Sequence, residues 1–567
     1  MLDLLVGFSI LCQGGDVLPK TTVRNPVARW TQVQNMTYGD DFVLTLQAEH
    51  ISGISQVHFS IDGGKPLVVS SKATDPNTGY REYLFPVGPL ADGRHEVTAT
   101  IIANSGDSLF LGGVDPMTLT DLNHRNDDTN SFYFYTGEEP VITVGPNGQY
   151  PSIDAAYASQ NLRGKRLLLE PGDYSGPIRD YGGVWSDRPV VIQGVEGTNF
   201  YGVFERQKAS SLVMMDMKVF VPESTTNGQK MFKGRPGNTN ALALINLEFV
   251  PDSDDPNAWQ DLKWGQTTDF NWYGGIYSIG NHYNGINFGP AQVTISKHDL
   301  FTDLTADALG KNPGGIFDCR IDRSSAECAT HGLHTDLMQY FNPQKYEEYG
   351  ACVNRMFVDI EFLNFYAQPG HFEGDKRRYE DGTKYQTYYK DWYFARWTAD
   401  CHSTSQSLNI VANGWENITF EDMNFRNASI DLLSSNDYVG LICKNVITTK
   451  WRGRQEPAEM FSDNGNSFTN WHVEQTGNGS EALTSTGPVD WANPEPPIVS
   501  YGCPGVPYSD PDLIDLSNTV FGGGCYTGED LAGLLQDFGS SNSEWDLDGD
   551  GIVNGKDIAL CLANFCS

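Results

Sequence analysis

The sequence predicts a mainly β protein with three folded parts: a β-sandwich, a right-handed parallel β-helix and a small helical module of EF-hand type. Short runs of alternating apolar and polar residues, without a helical period, occupy the first quarter of the chain. The 59 glycines and 29 prolines favour many turns over long helices. A four-residue strand pattern recurs further along, and an acidic loop follows near the C-terminus.

Length and charge narrow the function classes. A chain of 567 residues is long enough for three or four domains. Its 38 basic and 72 acidic residues give a formal net charge of −34, which repels phosphate backbones and anionic membranes. Nucleic acid is therefore excluded as a partner. No stretch approaches the roughly 18 to 20 consecutive apolar residues of a membrane span, so we expect none.

Residues 1–19 are a possible signal or N-terminal segment. The apolar run Leu4–Cys12 precedes small residues and resembles the second half of a signal peptide, although Asp3 stands where a basic region is usual. An unprocessed start and an N-terminal strand are the alternatives. With a signal, the protein would be secreted, either extracellular or at the cell surface.

The number and spacing of the cysteines also favour a secreted protein. Nine cysteines follow residue 318, and none forms the CxxC pair of a zinc or redox site. We expect disulfides formed in an oxidising compartment, with buried free thiols as the alternative. The nine are Cys319, Cys328, Cys352, Cys401, Cys443, Cys503, Cys525, Cys561 and Cys566.

Residues 20–138 are predicted to form the β-sandwich. Val57, Phe59 and Ile61 share one strand face, and Asp62-Gly63-Gly64 supplies a hairpin turn after them. Further short strands and turns follow up to Phe132–Tyr135, as in a two-sheet sandwich. The segments SIDGGKPLVV and LADGRHEVTATI resemble the immunoglobulin-like modules of secreted bacterial proteins. That resemblance implies a topology and no ligand.

Residues 139–483 are predicted to form the β-helix. A short amphipathic helix around Ile153 to Ala158 precedes the first expected strand, Arg166 to Glu170, and a Pro171-Gly172 turn. This start resembles the entry cap of pectate-lyase-like right-handed parallel β-helix proteins. Such a cap covers the strand edges and apolar core that an open β-helix end would expose. A pair of ordinary sandwiches is the alternative.

The rung pattern supports the β-helix. It reads acid or amide, aliphatic residue, any residue, then aromatic residue or Val, and alternation places its second and fourth residues inside. Its copies begin 30, 113 and 63 residues apart, so long loops must separate some rungs. The copies are Asp216–Val219, Asn246–Phe249, Asp359–Phe362 and Asp422–Phe425.

Seven prolines make residues 484–514 a stiff linker, and residues 515–567 follow as a separate module. The loop from 546 to 557 has oxygen donors at positions 1, 3, 5, 9 and 12 and Gly551 at the sharp turn, which predicts one bound Ca²⁺. Its clustered carboxylates would otherwise repel one another. A metal-free acidic loop is the alternative. The expected ligands are the side chains of Asp546, Asp548, Asp550, Asn554 and Asp557, and the carbonyl of Ile552.

A second copy of this loop lies 27 residues earlier but has lost its donors. Thr519, Phe521 and Gly523 replace the carboxylates, so a single ion is expected. The paired loop–helix arrangement resembles a dockerin, and most closely the dockerin-like tails of planctomycete-type secreted bacterial proteins. The resemblance implies attachment to a neighbouring protein or self-assembly. The family usually has two calcium loops, so the loss of one leaves cohesin binding open.

The candidate catalytic residues cluster between residues 303 and 339. His334 and Asp336 are two apart on a predicted strand and project from one face. The segment from His334 to Gln339 resembles the HxDxxQ strand of secreted β-helix glycosidases and lyases. We expect His334 to transfer a proton or orient substrate, and Asp336 to orient it or act as acid, base or metal ligand. The candidate catalytic set is His334, Asp336, Arg320, Asp318 and Asp307, with His331, Asp303, Arg396 and His402 on neighbouring or later rungs.

These residues could equally form ladders and turn contacts on a solvated face. The predicted function is action on, or binding of, an extracellular polysaccharide, as a lyase or glycoside hydrolase. The alternative is a non-catalytic surface or filament-forming protein. An acidic glycan would need a local cation, Arg320 or Arg396, because the chain as a whole is acidic. No P-loop, GxGxxG, HExxH or GxSxG motif is present, so phosphoryl transfer, dinucleotide redox, zincin and α/β-hydrolase chemistry have no support.

Overall fold

The computed structural model describes most of the chain between residues 24 and 476 and three residues of the C-terminal module. None of the helices in this part is long and apolar enough to cross a membrane. The described residues are 24–39, 42–75, 79–113, 130–176, 178–180, 186–206, 210–222, 230–233, 241–254, 266–268, 275–285, 294–302, 309–310, 314–322, 338–340, 352–365, 388–401, 408–412, 414–434, 438–453, 466–476, 538, 540 and 553.

Two antiparallel sheets pack face to face in the N-terminal part. One has the strand order β1-β2-β6-β5, and the other has the order β4-β3-β7-β8 with β9 also paired to β7. The Phe59 and Phe85 rings, one from each sheet, stack with centroids 4.9 Å apart. The predicted two-sheet sandwich is present. Its strands are β1 (Val27–Trp30), β2 (Val43–Glu49), β3 (Ile54–Ile61), β4 (Leu67–Val69), β5 (Ala73–Thr74), β6 (Arg81–Pro86), β7 (Gly93–Ala103), β8 (Ser108–Leu111) and β9 (Phe132–Thr136).

The following part is a parallel β-helix, as predicted. Its strands form a 21-stranded sheet and a 4-stranded sheet, in which each strand pairs in parallel with a strand of the next rung. The elements are β10 (Val141–Val144), α1 (Ile153–Ser159), β11 (Arg166–Leu169), β12 (Gly172–Ser175), β13 (Ile178–Asp180), β14 (Ser186–Gln193), β15 (Thr198–Tyr201), β16 (Phe204–Arg206), β17 (Ser210–Val221), β18 (Lys230–Lys233), β19 (Ala241–Pro251), β20 (Gln266–Thr268), β21 (Gly275–Ile279), β22 (His282–Asn284), β23 (Ile295–Lys297), β24 (Leu300–Thr302), β25 (Leu309–Gly310), β26 (Gly315–Asp322), β27 (Met338–Tyr340), β28 (Cys352–Phe365), β29 (Tyr388–Cys401), β30 (Leu408–Ala412), β31 (Gly414–Ser434), β32 (Tyr438–Val439), β33 (Ile442–Gly453) and β34 (Ser467–Thr476).

The entry to the β-helix differs from expectation by one strand. The predicted helix is present as α1, and the Ser152 hydroxyl caps it by accepting the Ala155 N–H at 3.2 Å. However, β10 already pairs in parallel with β11. The VITV run of β10 therefore forms the first rung, which begins at Val141 and not near Arg166.

Most described rungs turn a corner at a polar residue in the left-handed backbone region, whereas the rung of β21 and β22 turns at Gly280, with φ 65°. Asp216 in β17 has φ 58°, and Asn246 in β19 has φ 50°. Asp and Asn tolerate this conformation better than most residues. The Asn246 amide donates to Asp216 Oδ1 at 3.0 Å, and Asn445 donates to Asp422 Oδ1 at 2.8 Å. The first residue of the rung pattern is therefore the corner residue, stacked on its counterparts.

The predicted inward positions are confirmed. All eight second and fourth residues of the rung pattern are at most 6% exposed and belong to the interior core. They are Met217, Val219, Leu247, Phe249, Ile360, Phe362, Met423 and Phe425. The first and third residues of the pattern were expected to face outward into solvent, but three of them, Asp359, Glu361 and Asn424, are at most 5% exposed.

The rung pattern missed several rungs between its copies. Consecutive rungs in this interval are as little as 18 and 20 residues apart. Their corners are built by His298, Asp318 and Arg396, which also have positive φ. Cys319 and Ala399 then occupy inward positions where the pattern required an aliphatic or aromatic residue.

Two cysteines contradict the disulfide expectation. Cys319 and Cys443 are free thiols in the interior of the β-helix. Burial raises the pKa of both thiols, so they stay protonated and behave as small apolar side chains. Strand alternation turns each thiol inward, where apolar core residues surround it. Among the described residues, neither thiol has a second cysteine as a partner.

The sandwich covers one side of the β-helix. Outward-facing residues that precede the corners, such as Val213, Met215 and Ile245, share one hydrophobic core with the sandwich. We call this side the covered face. Charged residues join the two parts: Arg396 Nη2 lies 2.9 Å from Glu49 Oε1. Burial alone would raise the pKa of Glu49, but the cations of Lys72 and Arg396 lower it to about 2.

Candidate functional site: the open face of the β-helix

The strand segments after the corners present a second face, which the sandwich does not cover. Their inward residues, such as Phe200, Val219 and Tyr283, are buried. Their outward residues are half-buried or exposed and form two rows across seven strands. At about 4.8 Å per strand, the rows span about 29 Å. We call these rows the open face: Asp173, Asn199, Lys218, Glu248, His282, Leu300 and Arg320, and Ser175, Tyr201, Phe220, Val250, Asn284, Thr302 and Asp322.

An aromatic pair lies at one end of the open face. The rings of Tyr201 and Phe220, on neighbouring strands, are stacked with centroids 4.3 Å apart and planes 9° apart. Lys218 Nζ lies 5.7 Å from the Phe220 centroid. Partial desolvation and the carboxylates of Asp173 and Asp252 raise the pKa of Tyr201, so its phenol is neutral. Aromatic surface beside a few polar groups is typical of ligand sites.

His282 is a neutral imidazole in the middle of the open face. Burial lowers its pKa, with a smaller opposing effect of Glu248 and a further lowering by Lys218. Its Nε2 lies 2.8 Å from Thr302 Oγ1, and the Thr302 hydroxyl donates to Asn284 Oδ1 at 3.2 Å. Because that hydroxyl proton is engaged, Nε2–H is the donor to Thr302 and Nδ1 is left as an acceptor. Sequence reasoning missed His282, since only the alternation of His282, Tyr283 and Asn284 marks it.

Arg320, a predicted catalytic residue, lies at the other end of the open face. Its Nε is 3.8 Å from Glu361 Oε2, and its Nη2 is 3.9 Å from Asp322 Oδ2. Glu361 is the buried residue of the next strand. Two carboxylates therefore surround this guanidinium.

Asp318 does not join Arg320, although only one residue separates them. It is the corner residue, and its Oδ2 lies 2.7 Å from His298 Nδ1. The His298 ring in turn packs edge-on against Tyr80 of the sandwich. The corner breaks strand alternation, so Asp318 belongs to the covered face. Arg396 is likewise a corner residue, 2.6 Å from Asp359 and joined to Glu49 of the sandwich.

The remaining predicted site residues lie outside the described residues. These are His334, Asp336, Asp307, His331, Asp303 and His402, and the calcium ligands Asp546, Asp548, Asp550, Ile552, Asn554 and Asp557. Gln339, at the end of the predicted motif, is on β27, which pairs with β25 and β30. These strands form a different side of the β-helix from the one that carries Arg320. In the described part of the chain, no group of three or more His, Cys, Asp or Glu residues could hold a metal ion.

A cleft of about 320 Å³ adjoins the first strand of the open face. Two carboxylates line it, from Asp154 and Asp173, together with Ser175 of the second row. Proline residues give it rigid walls. Its full lining is Gly145, Pro146, Pro151, Ser152, Ile153, Asp154, Pro171, Gly172, Asp173, Tyr174 and Ser175.

The chain was compared with known proteins. No protein family and no curated protein sequence matches it. Among solved structures, it is similar to a family 28 exopolygalacturonase from Yersinia enterocolitica, with a TM-score of 0.31 and 8% sequence identity. That match covers 79% of this chain and 98% of the other. The chain itself is a parallel β-helix protein with a docked sandwich.

Proposed function

We propose that the open face binds an extracellular polysaccharide. The observation that supports this is the pair of outward rows, which present mostly polar side chains at the spacing of the strands, with the Tyr201–Phe220 aromatic pair toward one end. A polysaccharide is also a linear repeat, with hydroxyl groups along each unit and apolar ring faces. A chain laid across the strands would meet a new pair of side chains at every rung.

The individual contacts have the chemistry of sugar recognition. The Tyr201–Phe220 pair offers aromatic surface for the apolar face of a sugar ring. Asn199, whose amide donates to Asp173 Oδ1 at 2.9 Å, keeps an oriented polar group beside that pair. His282 Nδ1 accepts from a hydroxyl group. The cleft at Asp154 and Asp173 receives the terminal unit of the chain.

The test is a binding panel. The full-length protein is screened against extracellular glycans, and each hit is measured by titration calorimetry. Tyr201→Ala is expected to weaken binding about fivefold or more, since truncating an aromatic contact at such a site costs about 1 kcal/mol or more. The matched control is Phe110→Ala, which removes a 54% exposed aromatic ring from the sandwich. Equal affinity of wild type and Tyr201→Ala for every bound glycan would contradict the proposed face.

We further propose that His334 and Asp336 act on the glycan as the proton-transferring pair, with Asp307 as a further candidate. Asp318 is better explained as a residue that holds His298 under the sandwich. His334→Ala and Asp336→Ala are compared with wild type on each bound glycan, through reducing ends for hydrolysis and unsaturated-product absorbance for elimination. Turnover unchanged in both variants would remove this pair from the mechanism.

We propose that the C-terminal module binds one Ca²⁺ and attaches the protein to a neighbour, as a dockerin does. We also propose that the protein is secreted or lies at the cell surface, and that its N-terminal sandwich is of the immunoglobulin-like type. Of this module, Val553 is buried and its N–H donates to Ser540 O at 2.9 Å. The loop from 546 to 557 supplies the oxygen donors, as the hard Ca²⁺ ion requires.

A structural role as a self-assembling surface protein is the second candidate. The sandwich exposes Leu67, Val68 and Phe110 on its outer strands β4 and β8 to 46%, 50% and 54%. Exposed apolar residues on edge strands favour association between chains. Light scattering of the wild type and Val68→Lys as a function of concentration tests it. A monomer at all concentrations would count against this role.

A further inference from the structure

We infer that the polysaccharide bound on the open face is uncharged. This rests on the proposed function and names the substrate class of that site. The alternatives are uronate-containing and sulfated glycans, which need cations aimed at their anionic groups.

Both cations on the open face already face neighbouring carboxylates. Lys218 Nζ is 3.3 Å from each oxygen of Glu248, which lies opposite it on the neighbouring strand. Arg320 lies between Glu361 and Asp322 at 3.8 and 3.9 Å. A uronate could reach either cation only by competing with a carboxylate that the fold holds in place.

The rest of the open face is acidic or neutral. Asp173 and Asp154 line the terminal cleft, and none of the described residues that line it is a Lys, Arg or His. Asp252 lies close enough to Tyr201 to raise the pKa of its phenol. Carboxylates accept hydrogen bonds from sugar hydroxyls, whereas they repel sugar carboxylates. His282 adds no positive charge, because its pKa is lowered.

The other arginine that could serve an acidic glycan is also engaged. Arg396 contacts Asp359 at 2.6 Å and Glu49 at 2.9 Å at the junction with the sandwich. The formal charge of −34 adds a general repulsion of polyanions. The local contacts and the global charge therefore favour the same class of ligand, a neutral hexose polymer.

The experiment uses matched glycan pairs. Neutral glucan, mannan and galactan oligosaccharides are compared with their C6-oxidised forms, which carry a uronate at the same position. By calorimetry at low ionic strength, the neutral form should bind about fivefold or more tightly than the oxidised form. The difference should shrink at about 0.5 M NaCl, since salt screens repulsion between exposed charges.

A variant tests the role of Glu248. Glu248→Gln leaves Lys218 without its carboxylate partner, so the preference for the neutral form should fall by about half or more. Glu138→Gln, an exposed glutamate that follows β9, is the matched control and should keep the preference. Tighter binding of the oxidised form, or an unchanged preference in Glu248→Gln, would overturn this inference and leave the proposed function standing. Absence of binding to either form of all the glycans would overturn the proposed function itself.

Discussion

One buried ion pair connects the sandwich to the β-helix. Lys297 Nζ, on β23, lies 2.5 Å from Glu82 Oε2, on β6, and both side chains are 0% exposed. The Thr31 hydroxyl donates to the other Glu82 oxygen at 2.6 Å. Lys297 also lies 6.0 Å from the centroid of the Tyr80 ring. The two charges thus face each other inside a small buried polar cluster.

Lys297→Met should therefore destabilise the protein strongly. The substitution keeps most of the side-chain volume but leaves the Glu82 carboxylate buried without its cation. Breaking a buried pair in this way typically costs about 3–5 kcal/mol. Replacing both partners, Lys297→Met with Glu82→Leu, removes the stranded charge and should recover most of that loss. Urea unfolding at pH 7 measures both free energies.

Lys444→Met provides the control. Lys444 Nζ also lies 2.5 Å from a carboxylate, that of Glu421, but its side chain is 41% exposed. Solvent screens such a pair, so its loss should cost no more than about 1 kcal/mol. Equal effects of Lys297→Met and Lys444→Met, or a double variant no more stable than Lys297→Met, would refute the reasoning.

Three further predictions concern the interior and the tail. Burial raises the pKa of Asp299 from 3.8 to about 6. The free energy of unfolding of the wild type should therefore fall as pH rises from about 4 to 6, by up to about 3 kcal/mol relative to Asp299→Asn. Parallel pH profiles of the two proteins would contradict this. Ile360→Ala should cost about 2–5 kcal/mol in urea unfolding, since its side chain is 0% exposed; a loss below about 1 kcal/mol would show that the site collapses. Calorimetry of the full chain should give a Ca²⁺ stoichiometry near one, and Asp548→Ala should weaken binding strongly; two ions or none would refute the single-site prediction.

The rungs that the sequence revealed are those whose corner is Asp or Asn followed by apolar residues at alternate positions. Asp216 and Asn246 fit that description, and their side chains stack as the spacing implies. The corners at His298 and Arg396 escaped because the pattern required an acid or amide at that position, and contacts outside the rung hold these two residues in the left-handed region. Partners such as Asp318, Asp359 and Glu49 are distant in sequence and cannot be found by local periodicity.

The covered and open faces did leave a signal in the sequence. Before the corner, Leu212 to Met215 is apolar at every position, as in strands buried on both sides. After the corner, Met217 to Val221 includes the polar Lys218 on the outward side. This change within one strand distinguishes the side under the sandwich from the side in solvent. Pairing across rungs, which brings Tyr201 to Phe220, depends on loop lengths that the sequence pattern does not encode.

The location of the bound glycan tests the central claim most directly. A crystal structure of the full chain with an oligosaccharide selected by the binding panel should show sugar rings against Tyr201 and Phe220, with a hydroxyl group bonded to His282 Nδ1. The chain should run across the strands, with one end in the cleft at Asp173. Sugar density beside Gln339 on β27, or on the sandwich, with the open face empty would contradict the account.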